Sequence, residues 1–224
     1  ADSHTAMAAQ AETVVPLRVP VSPAAWAVVA EAAREFTGAV RVVVLRFGPT
    51  AGDLSRLGAP PGREPASERA IERALAAFSR PDLVWVAVLA EPADAPAAVV
   101  ALGCDLRVFS ADAGIALSGA AALGGLGALA GLVGYARALE LSLTARRMSA
   151  AEARAVGVAN LVVDADQVDA AVDDLVTAIL ATPRALAIET KALLLAREGS
   201  GFAARLADER ETRAAIDRLA GTDE

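Results

Sequence analysis

The sequence predicts an α/β domain with a largely parallel sheet covered by helices, and three observations carry that prediction. Two nearly continuous apolar runs, Val40 to Leu45 and Leu83 to Leu89, have the length and β-branched content of strands buried on both faces. Segments of helical periodicity separate them, which is the alternation that a parallel sheet with crossover helices requires. About a quarter of the residues are alanine and only 4% are aromatic, a composition that favours helix on both sides of such a sheet. With 224 residues, 55% of them hydrophobic, the chain can bury a full core, so intrinsic disorder is excluded.

The elements follow in order. Val14 to Val19 is a short β-branched strand, and Ser22-Pro23 then opens a helix with a capping hydroxyl and a first-turn proline. Trp26, Val29, Ala33 and Phe36 share one face of it, and Gly38 ends it before the strand Val40 to Leu45. Phe47 to Pro65 is rich in Gly and Pro and reads as a long loop, of the kind that is functional or mobile in a compact domain. A helix from about Ser67 to Ser79 leads to the strand Leu83 to Leu89. After the break Glu91 to Pro96, Asp94 is placed to cap a short helix that closes at Gly103.

Leu106 to Phe109 and Gly114 to Leu117 are further strand candidates. Beyond Ala120 the pattern is helical, with Tyr135 to Leu141, then Ser149 to Val156 opened by a Ser149/Glu152 capping box. Leu161 to Val163 is a last short strand. Val168, Val172, Leu175, Val176 and Ile179 form an amphipathic stripe, Thr182-Pro183 starts another helix, and Phe202 to Leu219 supplies the last. Residues 1–12 read as a leader or disordered terminus, 13–164 as the α/β core and 165–224 as a C-terminal helical region.

Composition also excludes chemistry. The formal charge is −7 and the arginines are scattered, which argues against a nucleic-acid partner. The sole histidine, His4, lies in the leader, so a histidine triad, a multi-histidine zinc site and a histidine general base are all excluded by counting; no metal is expected. Cys104 has no partner for an internal disulfide and reads as a small buried hydrophobe. Ala113 to Ala136 carries no charge, but its glycines and weak apolarity point to a buried segment of a soluble protein rather than a membrane span. No secretory signal is visible, so the expected compartment is the cytoplasm. Gly125-Leu126-Gly127 with Gly131, and Arg146-Arg147 further on, superficially match a dinucleotide loop, but a helix stands where that reading needs a strand.

Cys104-Asp105-Leu106-Arg107, Glu140-Leu141-Ser142-Leu143-Thr144, Ser149 to Val163 and Ala51-Gly52-Asp53-Leu54 together resemble the crotonase superfamily of enoyl-CoA hydratases and isomerases, over roughly Val14 to Leu195. The resemblance implies the crotonase-like fold, shared with Clp-type proteases, in which repeated β-β-α units precede a C-terminal helical region that serves oligomerisation and site closure. It implies an acyl-CoA thioester as substrate, with coenzyme A arriving as part of it and no separate cofactor, and a homotrimer or hexamer. It further implies an oxyanion hole of two backbone N–H groups around the thioester carbonyl, stabilising an enolate. The first donor maps to Gly52, with Ala51, Asp53 and Leu54 along the CoA groove. The second belongs to a Gly-Gly-Gly turn that maps to Ala95-Pro96-Ala97. Pro96 has no N–H, so Ala95 or Ala97 must serve, and Ala97 is the residue assigned.

The two glutamates that family hydratases use as acid and base map to Val99 and Gly119, neither of which transfers a proton. Glu91 is the nearby acid to test, since Asp94 reads as a cap and Asp105 belongs to a structural motif. Two functions therefore stand side by side. One is an enoyl-CoA hydratase or isomerase of fatty acid metabolism with unconventional proton transfer, and the other a catalytically degenerate protein that binds acyl-CoA or serves as a subunit partner.

Overall fold

The structure, a computed structural model, describes residues 13–19, 24–36, 38–47, 68–117 and 125–197. The elements in chain order are β1 (Val14–Val19), α1 (Ala24–Glu35), β2 (Val42–Phe47), α2 (Glu68–Phe78), β3 (Val84–Leu89), β4 (Pro92–Ala93), α3 (Ala95–Gly103), β5 (Leu106–Ser110), β6 (Gly114–Ala116), α4 (Leu126–Val133), α5 (Tyr135–Thr144), β7 (Arg147–Ser149), α6 (Ala150–Ala155), β8 (Leu161–Val163), α7 (Val168–Ala181) and α8 (Arg184–Arg197). The first buried strand starts two residues later than its apolar run predicts and takes in Phe47.

Five strands form one parallel sheet in the order β1-β2-β3-β5-β8. Its two faces explain the unbroken apolar runs. Val43, Leu45, Trp85, Ala87 and Leu89 point into the larger core, under α1, α2 and α3. Val42, Val44, Val86, Val88 and Val108 point the other way, where α7 lays Val168, Val172 and Val176 across them. With both faces covered, alternation has no reason to appear in the sequence. Each of the three α7 valines contributes about 2 kcal/mol by burial.

The larger core is keyed by aromatics. Trp85 of β3 meets Phe78 edge-on at 4.9 Å and Phe36 at 5.7 Å, and Phe78 in turn meets Trp26 at 6.4 Å. The Trp85 indole donates to the Ala77 carbonyl at 3.0 Å, whereas the equally buried Trp26 Nε1–H has no partner among the described residues.

In a second, three-stranded sheet the central strand, β6, matches the expected strand Gly114 to Leu117, whereas its neighbours β4 and β7 escaped the sequence reading. β4 pairs parallel with β6, which pairs antiparallel with β7. Strands of two or three residues are too short to show a period. Gly114 is required here, because a Cβ at that position would lie 2.6 Å from the Met148 carbonyl oxygen. Two expected capping roles also change. Asp94 sits at the N-cap of α3 with extended backbone, but its side chain caps nothing. Ser149 does accept from the Glu152 N–H, at 3.2 Å, whereas the Glu152 carboxylate turns to Arg146 instead of closing the box. Ser22-Pro23, the loop 48–67 and the helix Phe202 to Leu219 lie outside the described residues, as do residues 1–12. Among the described residues no helix is long and apolar enough to cross a membrane.

Arg146 ties α5 to α6, donating to both oxygens of Glu140 and both of Glu152 at 2.7–2.9 Å. Just before it, Ala145 ends α5 in the left-handed region, φ 51° and ψ 20°, which favours glycine. Because Ala145 is exposed, its Ala145→Gly variant loses no packing, and relief of the left-handed methyl exceeds the added entropy of the unfolded chain. A gain of about 0.5–1 kcal/mol is expected from urea midpoints. Arg146 also holds the Glu140 and Glu152 carboxyls below the ordinary carboxylate range, by hydrogen bonds in the first place. Their contribution is therefore fully present above about pH 5, beyond the ordinary glutamate value, and is lost as pH falls through the depressed values. Arg146→Ala should flatten the acid limb of stability against pH, which a urea series from pH 2 to 6 reads.

Candidate active site

The site is built around α3. Pro96 lies in its first turn, and Ala97, Ala98, Val99, Val100, Ala101 and Leu102 are all buried, so the helix is wedged into the core on every side. Its first turn leaves N–H groups without helical partners, as every α-helix does. The Ala98 N–H is satisfied by the Asp94 carbonyl at 2.9 Å. The Ala97 N–H, one residue earlier, meets no acceptor among the described residues. It stands at the positive end of the helix dipole, ready for a ligand that carries negative charge.

The other end of α3 is held by Arg107 of β5, which is buried. Its guanidinium donates to the Cys104 carbonyl at 2.6 Å, the Val158 carbonyl at 2.6 Å and the Ala101 carbonyl at 3.3 Å. A cation among the last carbonyls of a helix satisfies orphan acceptors and complements the dipole. Next to it, the Asp105 carboxylate accepts from the Trp85 N–H at 2.8 Å and from Lys191 Nζ at 2.7 Å. Lys191 also donates to the carbonyls of Leu83, at 2.7 Å, and Phe78, at 3.0 Å. All three ammonium hydrogens are thus used, and α8 is bolted to α2, β3 and the start of β5. Burial pushes the Asp105 carboxyl upward and Lys191 opposes that shift. The Trp85 N–H, the second donor to the carboxylate, and the nearby Arg107 charge oppose it as well.

The sequence reading placed Asp105 in a structural motif, and this is the role it has. It assigned nothing to Lys191, although a signal was there. Lys191 is the only lysine of a chain that otherwise uses arginine for its basic side chains.

Of the residues proposed for chemistry, Ala97 is at the α3 N-terminus, while Ala51, Gly52, Asp53 and Leu54 lie outside the described residues, as does Gly119. Val99 is fully buried, with its Cγ2 only 2.7 Å from where a Cβ of Gly125 would stand. The glycine that opens α4 is there to admit Val99, in agreement with close packing and against a dinucleotide loop. Glu91 is exposed on the bend before β4, and Asp112 is exposed after β5. Among the described residues no group of three or more His, Cys, Asp or Glu side chains could hold a metal ion. Cys104 is buried, and burial pushes its thiol far above the ordinary range, so it is no nucleophile.

A cavity of about 500 Å³ is lined by Leu102, Cys104, Asp105, Leu132, Lys191 and Leu195. It lies at the carboxyl end of α3, about 9 Å of helix away from Ala97. A carbonyl bound by the Ala97 N–H would not sit in it.

The model of the enoyl-CoA hydratase/isomerase family matches residues 36–217. The chain belongs to that family. Its fold is shared with a Thermobifida fusca YX protein assigned as an enoyl-CoA hydratase and solved with acetoacetyl-CoA, at 32% identity and a TM-score of 0.66, covering 89% of this chain and 86% of that one. An enoyl-CoA hydratase of Mycobacterium smegmatis is 28% identical with a TM-score of 0.68, over 92% and 88% of the two chains. One from Mycobacterium avium subsp. paratuberculosis K-10 reaches a TM-score of 0.73 at 24% identity, over 92% and 90%, and bears on the fold alone. No match to the chain is found among curated proteins. The crotonase-like fold expected from the motifs is therefore the fold of this hydratase/isomerase family member.

Removing one partner of a buried ion pair leaves the other uncompensated. Lys191→Met is expected to cost about 3 kcal/mol. The loss should shrink when Asp105→Asn is already present, because no buried charge is then stranded. Urea unfolding of the two single variants and the double variant reads the coupling.

Proposed function

We propose that this family member binds an acyl-CoA thioester and polarises its carbonyl between the backbone N–H groups of Ala97 and Gly52, stabilising the enolate that forms when charge moves onto the oxygen. The observation that carries the reading is the unengaged Ala97 N–H at the head of a helix buried on every side and pinned at its other end. Such a donor is fixed before the substrate arrives, so little reorganisation is needed as charge develops. The Thermobifida fusca relative is solved with acetoacetyl-CoA and, separately, with CoA, which supports a thioester of that class as ligand. In this reading Ala51, Asp53 and Leu54 line the CoA groove, and the protein uses no cofactor beyond the coenzyme A of its substrate. It works in the cytoplasm, in fatty acid metabolism, as a homotrimer or hexamer. The exposed Tyr135, Leu139 and Leu143 of α5, and Leu186, Leu193 and Leu194 of α8, are apolar surface suited to such contacts.

A second reading is favoured by Val99. Hydration adds hydroxyl to C3 and a proton to C2 of an enoyl thioester, and a carboxyl pair serves both steps. Where the family pattern has one of these carboxyls, this chain has hydrocarbon locked against Gly125. A protein that binds acyl-CoA without turnover fits that substitution.

Loss of the enoyl absorbance of crotonoyl-CoA separates the two. Hydration well above the uncatalysed rate is the expected result for the enzyme, and saturable CoA binding with no absorbance change would leave the binding protein. Absence of both would end the proposal.

A further inference from the structure

Asp94 occupies the N-cap of α3 with φ −91° and ψ 176°, the extended backbone from which a cap side chain reaches back to the helix. A capping carboxylate accepts from the N–H of the second or third helical residue. The second here is Pro96, which has none, so the third, Ala97, is the only backbone partner left. That is the N–H to which the proposed function assigns the thioester oxygen, and the present inference rests on that assignment. Left to itself, Asp94 would cap Ala97 and occupy the oxyanion site with a carboxylate of the chain's own.

It does not, because Arg147 holds it elsewhere. The Arg147 guanidinium donates to Asp94 Oδ1 at 2.7 Å and to the Ala93 carbonyl at 3.4 Å, gripping the cap residue and the one before it. Its stem reaches there across Gly114, where the Arg147 Cγ and Cδ lie 3.4 and 3.5 Å from the position of a missing Cβ. β7 thus aims the arginine at the head of α3, and β6 leaves room for it to pass. The pair is exposed, so its attraction is modest, but a single cap hydrogen bond is modest too. The guanidinium also neutralises a carboxylate that would oppose negative charge on the bound oxygen.

We infer that Arg147 is a positioning residue for the thioester site: it draws Asp94 away from Ala97 and so keeps the oxyanion donor uncapped. Arg147→Met retains the stem over Gly114 and removes the grip. Two readouts follow it, the hydrogen exchange of the Ala97 amide by NMR and the enolate absorbance of bound acetoacetyl-CoA. In Arg147→Met the Ala97 amide should exchange about fivefold more slowly, on the scale of a side-chain cap, and the enolate band should fall by a similar factor. In Arg147→Met/Asp94→Ala both should return towards wild type, a recovery that a merely structural arginine would not give.

Unchanged exchange in Arg147→Met overturns the inference, and so does a band that is lost and not regained in the double variant. Exchange that slows and recovers while the band stays constant retains the latch but removes Ala97 as the donor, which overturns the catalytic role given to Arg147. In wild type, raising the salt concentration should weaken the exposed pair and lower the band, with no such decline in the double variant.

Discussion

Everything that positions the site depends on how the carboxyl end of α3 is fixed. Arg107 gathers the carbonyls of Ala101, Cys104 and Val158 onto one buried guanidinium, and Lys191 gathers those of Phe78 and Leu83 together with the Asp105 carboxylate. Buried cations are tolerable only when every donor is used, and here nearly all of them are spent on backbone carbonyls. The backbone of four separate segments is thereby locked in register around one helix end. A helix held this way cannot slide or tilt, so the N–H groups at its other end keep their direction without help from side chains around them.

That division of labour separates what could be read from the sequence from what could not. The strand runs 40–45 and 83–89, the stripe of Val168, Val172 and Val176, and the Cys104-Asp105-Leu106-Arg107 segment were legible, because burial on two faces and helical periodicity leave a signal in residue type. Strands β4 and β7 were not, since Pro92–Ala93 and Arg147–Ser149 are held by partners far away in sequence and carry no period of their own. Asp94 is the instructive case. Its type and place beside Pro96 gave the correct backbone role, the N-cap, while its side chain was claimed by an arginine 53 residues later. Local pattern fixes where the chain turns; which of two acceptable hydrogen bonds a side chain then makes is decided by what the tertiary fold brings near. Of the candidate site itself, the structure describes Ala97, in the first turn of the short helix that the Asp94-Pro96 pattern signals, whereas Ala51 to Leu54 lie outside the described residues.

The replacement of the family's glycines by Ala95, Pro96 and Ala97 also has a physical logic. Proline in the first turn preorganises φ for the helix and deletes an N–H that would need a partner. It narrows the donors at the head of α3, and it narrows the partners open to Asp94 in the same stroke. A glycine turn can adapt its backbone to a ligand; an Ala-Pro-Ala turn on a helix with no free face has far less freedom, and its donor must already point where the charge will be.

Val99 follows the same economy. A backbone oxyanion hole asks nothing of the side chains around it, so the position that carries a carboxyl in the family pattern could become hydrocarbon without disturbing the donor. Once Val99 filled the notch over Gly125, the two positions became interdependent. Any side chain at 125 would strike Val99 Cγ2, and a longer, charged side chain at 99 would have to bury itself between α3 and α4 with no cation among the described residues there to meet it. Loss of the carboxyl is thus coupled to a packing gain. In the proposed function the backbone of α3 polarises the thioester, and groups that move its protons would have to come from outside this interlocked pair.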